Sequence, residues 1–127
     1  MFKRAIVRTP GKSVVNGLTS AELSLPNYEN ALVQHAEYIN ALEKCGLAVI
    51  VLGCDEEYPD STFVEDVALL TRDCAIFMRP GALSRREETA EIRNVLSKYY
   101  INIEEVREPG TVEAGDIMMV GSHFYIG

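Results

Sequence analysis

One sequence pattern occurs twice, fifty residues apart, and it limits the possible architectures more than any other feature. The two copies are residues 66–77 and residues 116–127. Each copy starts with Asp, continues with four apolar residues, and reaches a second apolar run after a short turn. Two apolar runs joined by such a turn are typical of a β-hairpin. A period of this length indicates stacked or radially arranged modules that cannot bury their apolar faces alone.

Two helices are predicted between the strands. Asn27 and Gly46 bound the first helix, which is indicated by apolar positions at helical spacing: Tyr28, Leu32, His35, Ile39 and Leu42. The second begins near Ser84 and Glu87, which have the spacing of a capping box. The repeating unit is therefore strand, strand, helix, strand, and we expect an α/β fold.

The 127 residues hold about two and a half such units, and the last one stops within a hairpin strand. We therefore expect a fragment of a longer polypeptide, or a chain that needs a second chain to complete it. The alternative is a small α+β domain with one chance similarity. Unpaired sheet edges and apolar faces would favour either a homodimer or association with the missing part.

Charge and hydropathy exclude several classes of partner. The chain has 12 Lys and Arg against 19 Asp and Glu, a net charge of −7. Such an acidic chain does not neutralise phosphates, so we expect neither a nucleic acid nor a membrane as partner. No apolar run approaches the roughly 20 residues of a membrane helix, and the apolar stretch after Met1-Phe2-Lys3-Arg4 is too short for a secretory signal, so we expect none. We expect a cytoplasmic protein.

The three cysteines, Cys45, Cys54 and Cys74, lack the paired spacing of zinc or redox sites. Acidic neighbours of Cys54 disfavour the thiolate that a nucleophile requires, so we expect all three to be buried and structural. His35 lies on the apolar stripe of the first helix and His123 at a hairpin tip, so neither is a good catalytic candidate. We expect no metal and no cofactor.

Acidic residues are concentrated between Pro59 and Val67. Asp60 and Asp66 are an even number of residues apart, so in an extended segment they would face the same side, and Glu65 the other. Carboxylates next to Phe63 and an apolar strand need a cationic or hydrogen-bonding partner. A planar guanidinium suits paired carboxylates best, whereas the alternative is solvated loop acids.

Arg85 and Arg86 follow directly after the expected helix cap at Ser84. Positive charge in the first turn opposes the helix dipole, and a bound anion such as a small carboxylate would resolve the conflict. Exposed, solvated arginines are the alternative, favoured for Arg86.

A third acidic segment, residues 111–116, leads into the second copy of the repeat. Gly115 permits a tight backbone there. If the modules surround an axis, Glu113 would join Asp60 and Asp66 near one central site. An acid beside an active site often orients a histidine or holds a donor.

These segments together resemble the N-terminal half of dimethylarginine dimethylaminohydrolases, which belong to the guanidino-modifying (pentein) superfamily. The similarity runs along the whole chain, from the opening strand and its Gly17-Leu18-Thr19 loop to Gly127. Three motifs carry it: Asp60-x-x-Phe63-x-Glu65-Asp66, Arg79-Pro80-Gly81-Ala82-x-Ser84-Arg85-Arg86 and Thr111-x-Glu113-Ala114-Gly115-Asp116. The resemblance implies a five-bladed α/β propeller of ββαβ modules, of which residues 1–127 would be the N-terminal half of a single catalytic domain.

The resemblance also implies an activity, the hydrolysis of methylated arginine to citrulline and methylamine or dimethylamine through a covalent thiouronium intermediate. It implies that Asp66 holds the substrate guanidinium, that Glu65 shapes that end, and that Glu113 orients the catalytic histidine. Roles at the other end and at the wall of the site are implied for four further residues: Arg85 at the substrate carboxylate, the Leu18 backbone with Asp60 at the α-amino group, and Phe63 as the wall.

No residue of the chain matches the family motifs of the catalytic histidine, the nucleophilic cysteine or the second carboxylate-binding arginine. We therefore expect the chain alone to be inactive. Two alternatives stay open. One is a related guanidino-modifying enzyme, such as an arginine deiminase or an amidinotransferase, acting on an unmethylated guanidinium. The other is a non-catalytic binding or assembly module.

Overall fold

A computed structural model describes residues 2–21 and 24–127 of the chain. They divide into two units, Met1–Thr62 and Phe63–Gly127, which are described separately below. Both units contain strands paired in parallel through an intervening helix, which is the connection typical of α/β proteins. The α/β prediction is therefore confirmed.

The first unit is a strand, a helix and a second strand. Strand β1 (Arg4–Arg8) pairs in parallel with β2 (Ala48–Leu52), so that Arg4 lies opposite Ala48 and Arg8 opposite Leu52. A short 3-10 turn, Lys12–Asn16, follows β1, and helix α1 (Tyr28–Lys44) leads back to β2.

Helix α1 agrees with its sequence prediction at both ends. The Asn27 side chain accepts a hydrogen bond from the Asn30 N–H at 2.9 Å, which caps the first turn. Gly46 has φ of 83°, a left-handed conformation that glycine adopts easily after a helix. All five predicted stripe positions, from Tyr28 to Leu42, are half-buried, so the stripe forms the inner face of the helix.

The second unit contains the predicted strand, strand, helix, strand order. Strand β3 (Ala68–Leu70) pairs antiparallel with β4 (Ala75–Phe77), and helix α2 (Thr89–Leu96) connects β4 to its parallel neighbour β5 (Ile103–Glu105). A final antiparallel hairpin consists of β6 (Ile117–Val120) and β7 (His123–Ile126). The two hairpins predicted from the fifty-residue repeat are thus both present.

The core of the second unit lies between its three-stranded sheet and α2. Val67, Phe77 and Leu96 are its largest fully buried apolar side chains. The Arg93 guanidinium lies 4.2 Å from the centre of the Phe77 ring, which adds a cation–π contact. This core fixes the end of β4 and the start of α2, between which Arg85 lies.

Some local predictions are wrong. Residues Leu83–Glu88 form a 3-10 turn that follows Ala82 and has no side-chain cap, so Ser84 and Glu87 form no capping box. Cys45 and Cys54 are exposed and Cys74 is half-buried, contrary to the expected burial. Neither α-helix in the described part of the chain is long and apolar enough to cross a membrane.

Candidate functional site

The candidate residues fall into both units. Leu18 and Asp60 belong to the first unit, and the others, Phe63, Glu65, Asp66, Arg85 and Glu113, belong to the second. Phe63 is 47% exposed and Glu65 is also exposed. The segment between Asp60 and Asp66 consists mostly of turns, so the expectation that even spacing places both carboxylates on one side of an extended segment is wrong.

Asp60 fixes the loop at Leu18 in the first unit. Its carboxylate accepts the Leu18 N–H on both oxygens, at 3.0 and 3.1 Å, and the residue is only 7% exposed. A Cβ on Gly17 would lie 2.7 Å from Asp60 Oδ1, so this close approach requires glycine. The contact joins segments 42 residues apart. Asp60 thus positions the backbone at Leu18.

We expect Asp60→Asn to release the Leu18 loop. The substitution removes the charge and one acceptor oxygen, and hydrogen bonds to charged groups are worth ~1.5–3 kcal/mol. Exchange of the Leu18 amide hydrogen should accelerate by about tenfold or more. Asp55→Asn is the matched control, because Asp55 accepts only a local bond from the Glu57 N–H in the contacts described. Unchanged Leu18 exchange in Asp60→Asn would contradict this role.

Arg85 lies at the centre of a group of charges in the second unit, called here the Arg85 cluster: Arg85, Asp66, Glu88 and Glu113. Its Nη1 lies 2.8 Å from Asp66 Oδ2 and 3.5 Å from Glu113 Oε2. On the other edge of the guanidinium, Nε and Nη2 donate hydrogen bonds to the Glu88 carboxylate. Arg85 is only 7% exposed and Glu88 only 6%.

The Arg85 cluster holds one positive charge against three carboxylates. Burial by itself would lower the pKa of Arg85, but hydrogen bonds from Glu88 and Asp66 outweigh it and raise the pKa above its ordinary value. Arg85 is therefore fully charged at every physiological pH. The formal excess of two negative charges makes the cluster suited to a second cation.

Asp66 and Gly115 are in close contact. A Cβ on Gly115 would overlap Asp66 Oδ1, and the Ala114 N–H donates to the Asp66 backbone oxygen at 2.9 Å. The segment that carries Glu113 is therefore attached directly to Asp66. Gly115 has the role that the sequence suggested, since it permits a tight backbone beside an acid.

Glu113 is held from two directions. Its Oε1 accepts the Gly81 N–H at 3.3 Å, and its Oε2 faces Arg85. Its side chain keeps 29% of its surface exposed, so the carboxylate is both fixed and accessible. Asp66 and Glu113 are thus brought together by one arginine, which agrees with the expectation that these acids lie close to each other.

Each unit holds its acidic segment with an equivalent arginine. Arg8, at the end of β1, donates from Nη1 to the Gly53 oxygen at 3.1 Å. Arg79, just after β4, donates from Nη1 to the Gly110 oxygen at 3.2 Å. In both units the glycine follows the parallel partner strand and precedes the segment that carries the candidate acids. The two arginines belong to the matching Arg-Thr-Pro-Gly and Arg-Pro-Gly sequences.

Arg85 does not lie at a helix start, so the predicted conflict with the helix dipole, which a bound anion was expected to resolve, is absent. Arg85 lies within the 3-10 turn before α2 rather than at the start of the helix, and protein carboxylates already balance its charge. Its role at a substrate carboxylate, which the family resemblance implies, stays a prediction. Sequence reasoning missed Glu88, although its position three residues after Arg85 is the spacing of a helical ion pair.

The histidines do not contribute to the Arg85 cluster through any contact described. Burial lowers the pKa of His35, partly offset by a hydrogen bond with the Arg8 backbone, so this histidine is neutral at pH 7. His123 is exposed beside Ser122. Within residues 2–21 and 24–127, no group of three or more His, Cys, Asp or Glu side chains could hold a metal ion.

The same fold occurs in solved structures of enzymes that act on guanidines. The product-bound N-terminal domain of ArgZ, an arginine dihydrolase from cyanobacteria, matches 93% of this chain and 45% of that chain with a TM-score of 0.80, at 17% identity. This likeness concerns the fold alone. The chain thus shares its α/β fold with this arginine dihydrolase domain.

The family model described as N,N dimethylarginine dimethylhydrolase, eukaryotic, matches residues 19–126. A curated relative from Pseudomonas aeruginosa, named N(G),N(G)-dimethylarginine dimethylaminohydrolase, is 55% identical over the whole chain and 50% of its own length. A solved structure of the DDAH from Pseudomonas aeruginosa complexed with citrulline has a TM-score of 0.97 and 54% identity, covering 99% of this chain and 50% of that chain. The chain belongs to the dimethylarginine dimethylaminohydrolase family. It spans about half the length of the curated relatives it matches.

Proposed function

We propose that the chain is the N-terminal half of a single α/β-propeller catalytic domain, five-bladed when complete, that hydrolyses methylated arginines. The observation that carries the proposal is the Arg85 cluster, in which Arg85 holds two of the implied site acids, Asp66 and Glu113, close together with an excess of negative charge. A cationic guanidinium suits such a site. The family membership and the half-length match support the same activity.

The proposed reaction takes place on the substrate guanidinium carbon. A cysteine thiolate from the second half attacks this carbon and forms a C–S bond. The C–N bond to the methylated nitrogen then breaks, and a histidine supplies the proton with which dimethylamine or methylamine leaves. Water gives one proton to the same histidine and attacks the thiouronium carbon, the C–S bond breaks, and the products are citrulline, the free thiolate and a second proton released to solvent. The chain needs no cofactor for this sequence.

The residues of this chain supply binding and orientation in the proposal. Asp66 holds the guanidinium, and Glu113 fixes the histidine that protonates the leaving amine. Further contacts are proposed for the remaining site residues: Glu65 and Phe63 at the guanidinium end, Arg85 at the substrate carboxylate, and Asp60 with the Leu18 backbone at the α-amino group. The contact between Asp60 and Leu18 supports the last of these, since it fixes the loop.

A complementation assay tests the proposal. The chain alone should produce no citrulline from dimethylarginine at an enzymatic rate, because the nucleophile and the histidine come from the second half. A fusion of the chain with the second half of the Pseudomonas aeruginosa relative, called here the joined protein, should produce citrulline. Arginine as substrate separates the alternatives: faster turnover of arginine than of dimethylarginine would indicate a deiminase. A joined protein that folds and turns over neither substrate would favour a non-catalytic module.

A further inference from the structure

Glu88 is a buried acid to which the proposed reaction gives no role. Its Oε1 and Oε2 lie 3.1 and 3.2 Å from Arg85 Nε, and Oε2 lies 2.9 Å from Nη2. Its side chain is only 3% exposed. Both oxygens therefore face one edge of the Arg85 guanidinium, an arrangement that fixes the plane of the group as well as balancing its charge.

We propose that Glu88 is a positioning residue for the site, acting through Arg85 on Asp66 and Glu113. This inference rests on the proposed function, since it assigns to these two acids the binding of a guanidinium. Because Glu88 occupies the Nε and Nη2 edge, Arg85 meets the other two acids through Nη1. One corner of the guanidinium thus sets the positions of both carboxylates.

The charge balance explains why this role matters for binding. With Glu88 ionised, Arg85 has a partner that the substrate does not use. Without that partner, Asp66 and Glu113 would have to balance more of the buried positive charge. They would then pair more closely with Arg85 and less with a bound cation. Glu88 therefore leaves the two acids available to the substrate.

The experiment compares Glu88→Gln with Glu87→Gln in the 127-residue chain. Glu87→Gln is the matched control, because it removes the same charge from the neighbouring residue, which is exposed. The first readout is the Arg85 Nε–H signal in a ¹⁵N-arginine-labelled sample, whose hydrogen should exchange slowly because Glu88 holds it. The second is the dissociation constant of methylguanidinium, a probe without a carboxylate.

We expect Glu88→Gln to accelerate Nε–H exchange and to weaken methylguanidinium binding by about tenfold, the lower end of what outer-shell partners contribute in metal sites. Glu87→Gln should change neither. Unchanged values in a folded Glu88→Gln protein would overturn the inference. If Glu88→Gln does not fold, Glu88→Asp is the test. Its shorter side chain should loosen the contact with Arg85, so Nε–H exchange should accelerate and methylguanidinium binding should weaken. Wild-type values of both would contradict the role.

The two readouts also separate this inference from the proposed function. If the unaltered chain binds no methylguanidinium, the cation-binding role of the cluster is contradicted. The Nε–H signal still reports in that case whether Glu88 fixes Arg85. In the joined protein, Glu88→Gln should raise KM for dimethylarginine more than it lowers kcat, whereas a purely structural defect would lower the amount of active enzyme and leave KM unchanged.

Discussion

Gly115→Ala is expected to abolish the contact between Asp66 and Arg85. The added Cβ would overlap Asp66 Oδ1, and the Asp66 side chain is too short to move away while its Oδ2 stays on Arg85. Relief of the overlap requires either rotation of the carboxylate or a shift of the segment that carries Glu113. We expect a loss of ~1–3 kcal/mol in the free energy of unfolding, the usual range for overpacked positions.

The effect on activity should be larger than the effect on stability. Positioning errors of about 1 Å can lower a rate by about a hundredfold, and Gly115→Ala displaces two site acids together. The control is Gly81→Ala, because a Cβ at Gly81 meets nothing within 4 Å and the N–H that donates to Glu113 is retained. The measurement for both variants is kcat/KM for citrulline formation by the joined protein. Wild-type kcat/KM in Gly115→Ala would contradict the geometry of the Arg85 cluster.

Arg85→Met is expected to be the most destabilising single substitution in the second unit. It removes the cation that lies 2.9 Å from the buried Glu88 carboxylate, and loss of one partner of a buried pair costs ~3–5 kcal/mol. Arg86→Met is the control, because Arg86 bonds only a backbone oxygen, that of Pro80, in the contacts described. Denaturant unfolding at pH 7 measures the free energy of unfolding of each variant. An equal loss in the free energy of unfolding of Arg85→Met and Arg86→Met would contradict this expectation.

The pH dependence provides a second test of the Arg85 substitution. In the unaltered chain the pKa of Arg85 is raised, so its stabilisation is complete at every pH below the ordinary pKa of an arginine and is lost only above it. Arg85→Met removes a group that stays charged throughout this range. The stability gap between the two proteins should therefore stay constant as the pH rises from about 7 to about 10.

Those features of the fold that depend on local sequence could be predicted. Asn27, Gly46 and the apolar stripe define α1 within a single stretch of chain, and the fifty-residue repeat locates both hairpins. The second helix begins at Thr89, five residues beyond the predicted cap at Ser84, and the residues before it form a 3-10 turn in which Arg85 makes its ion pairs. A capping-box pattern contains no information about these tertiary contacts.

The candidate site was predictable in its residue types and less so in its contacts. Arg85 and Asp66 were both singled out, but for substrate groups rather than for each other. Pairing between residues 19 positions apart depends on how β3, β4 and the following turn fold back, which side-chain spacing does not determine. Glu88 was missed because an acid three residues from an arginine is usually exposed, and only burial distinguishes this one.

The central claim is that the acids of this chain bind the substrate guanidinium, and Asp66→Asn in the joined protein tests it most directly. Asp116→Asn is the control, because Asp116 has the same place in the repeat and is exposed. The measurement is kcat/KM for citrulline formation from dimethylarginine. We predict a loss of about a hundredfold or more for Asp66→Asn and near-wild-type activity for Asp116→Asn. Full activity in Asp66→Asn would contradict the account.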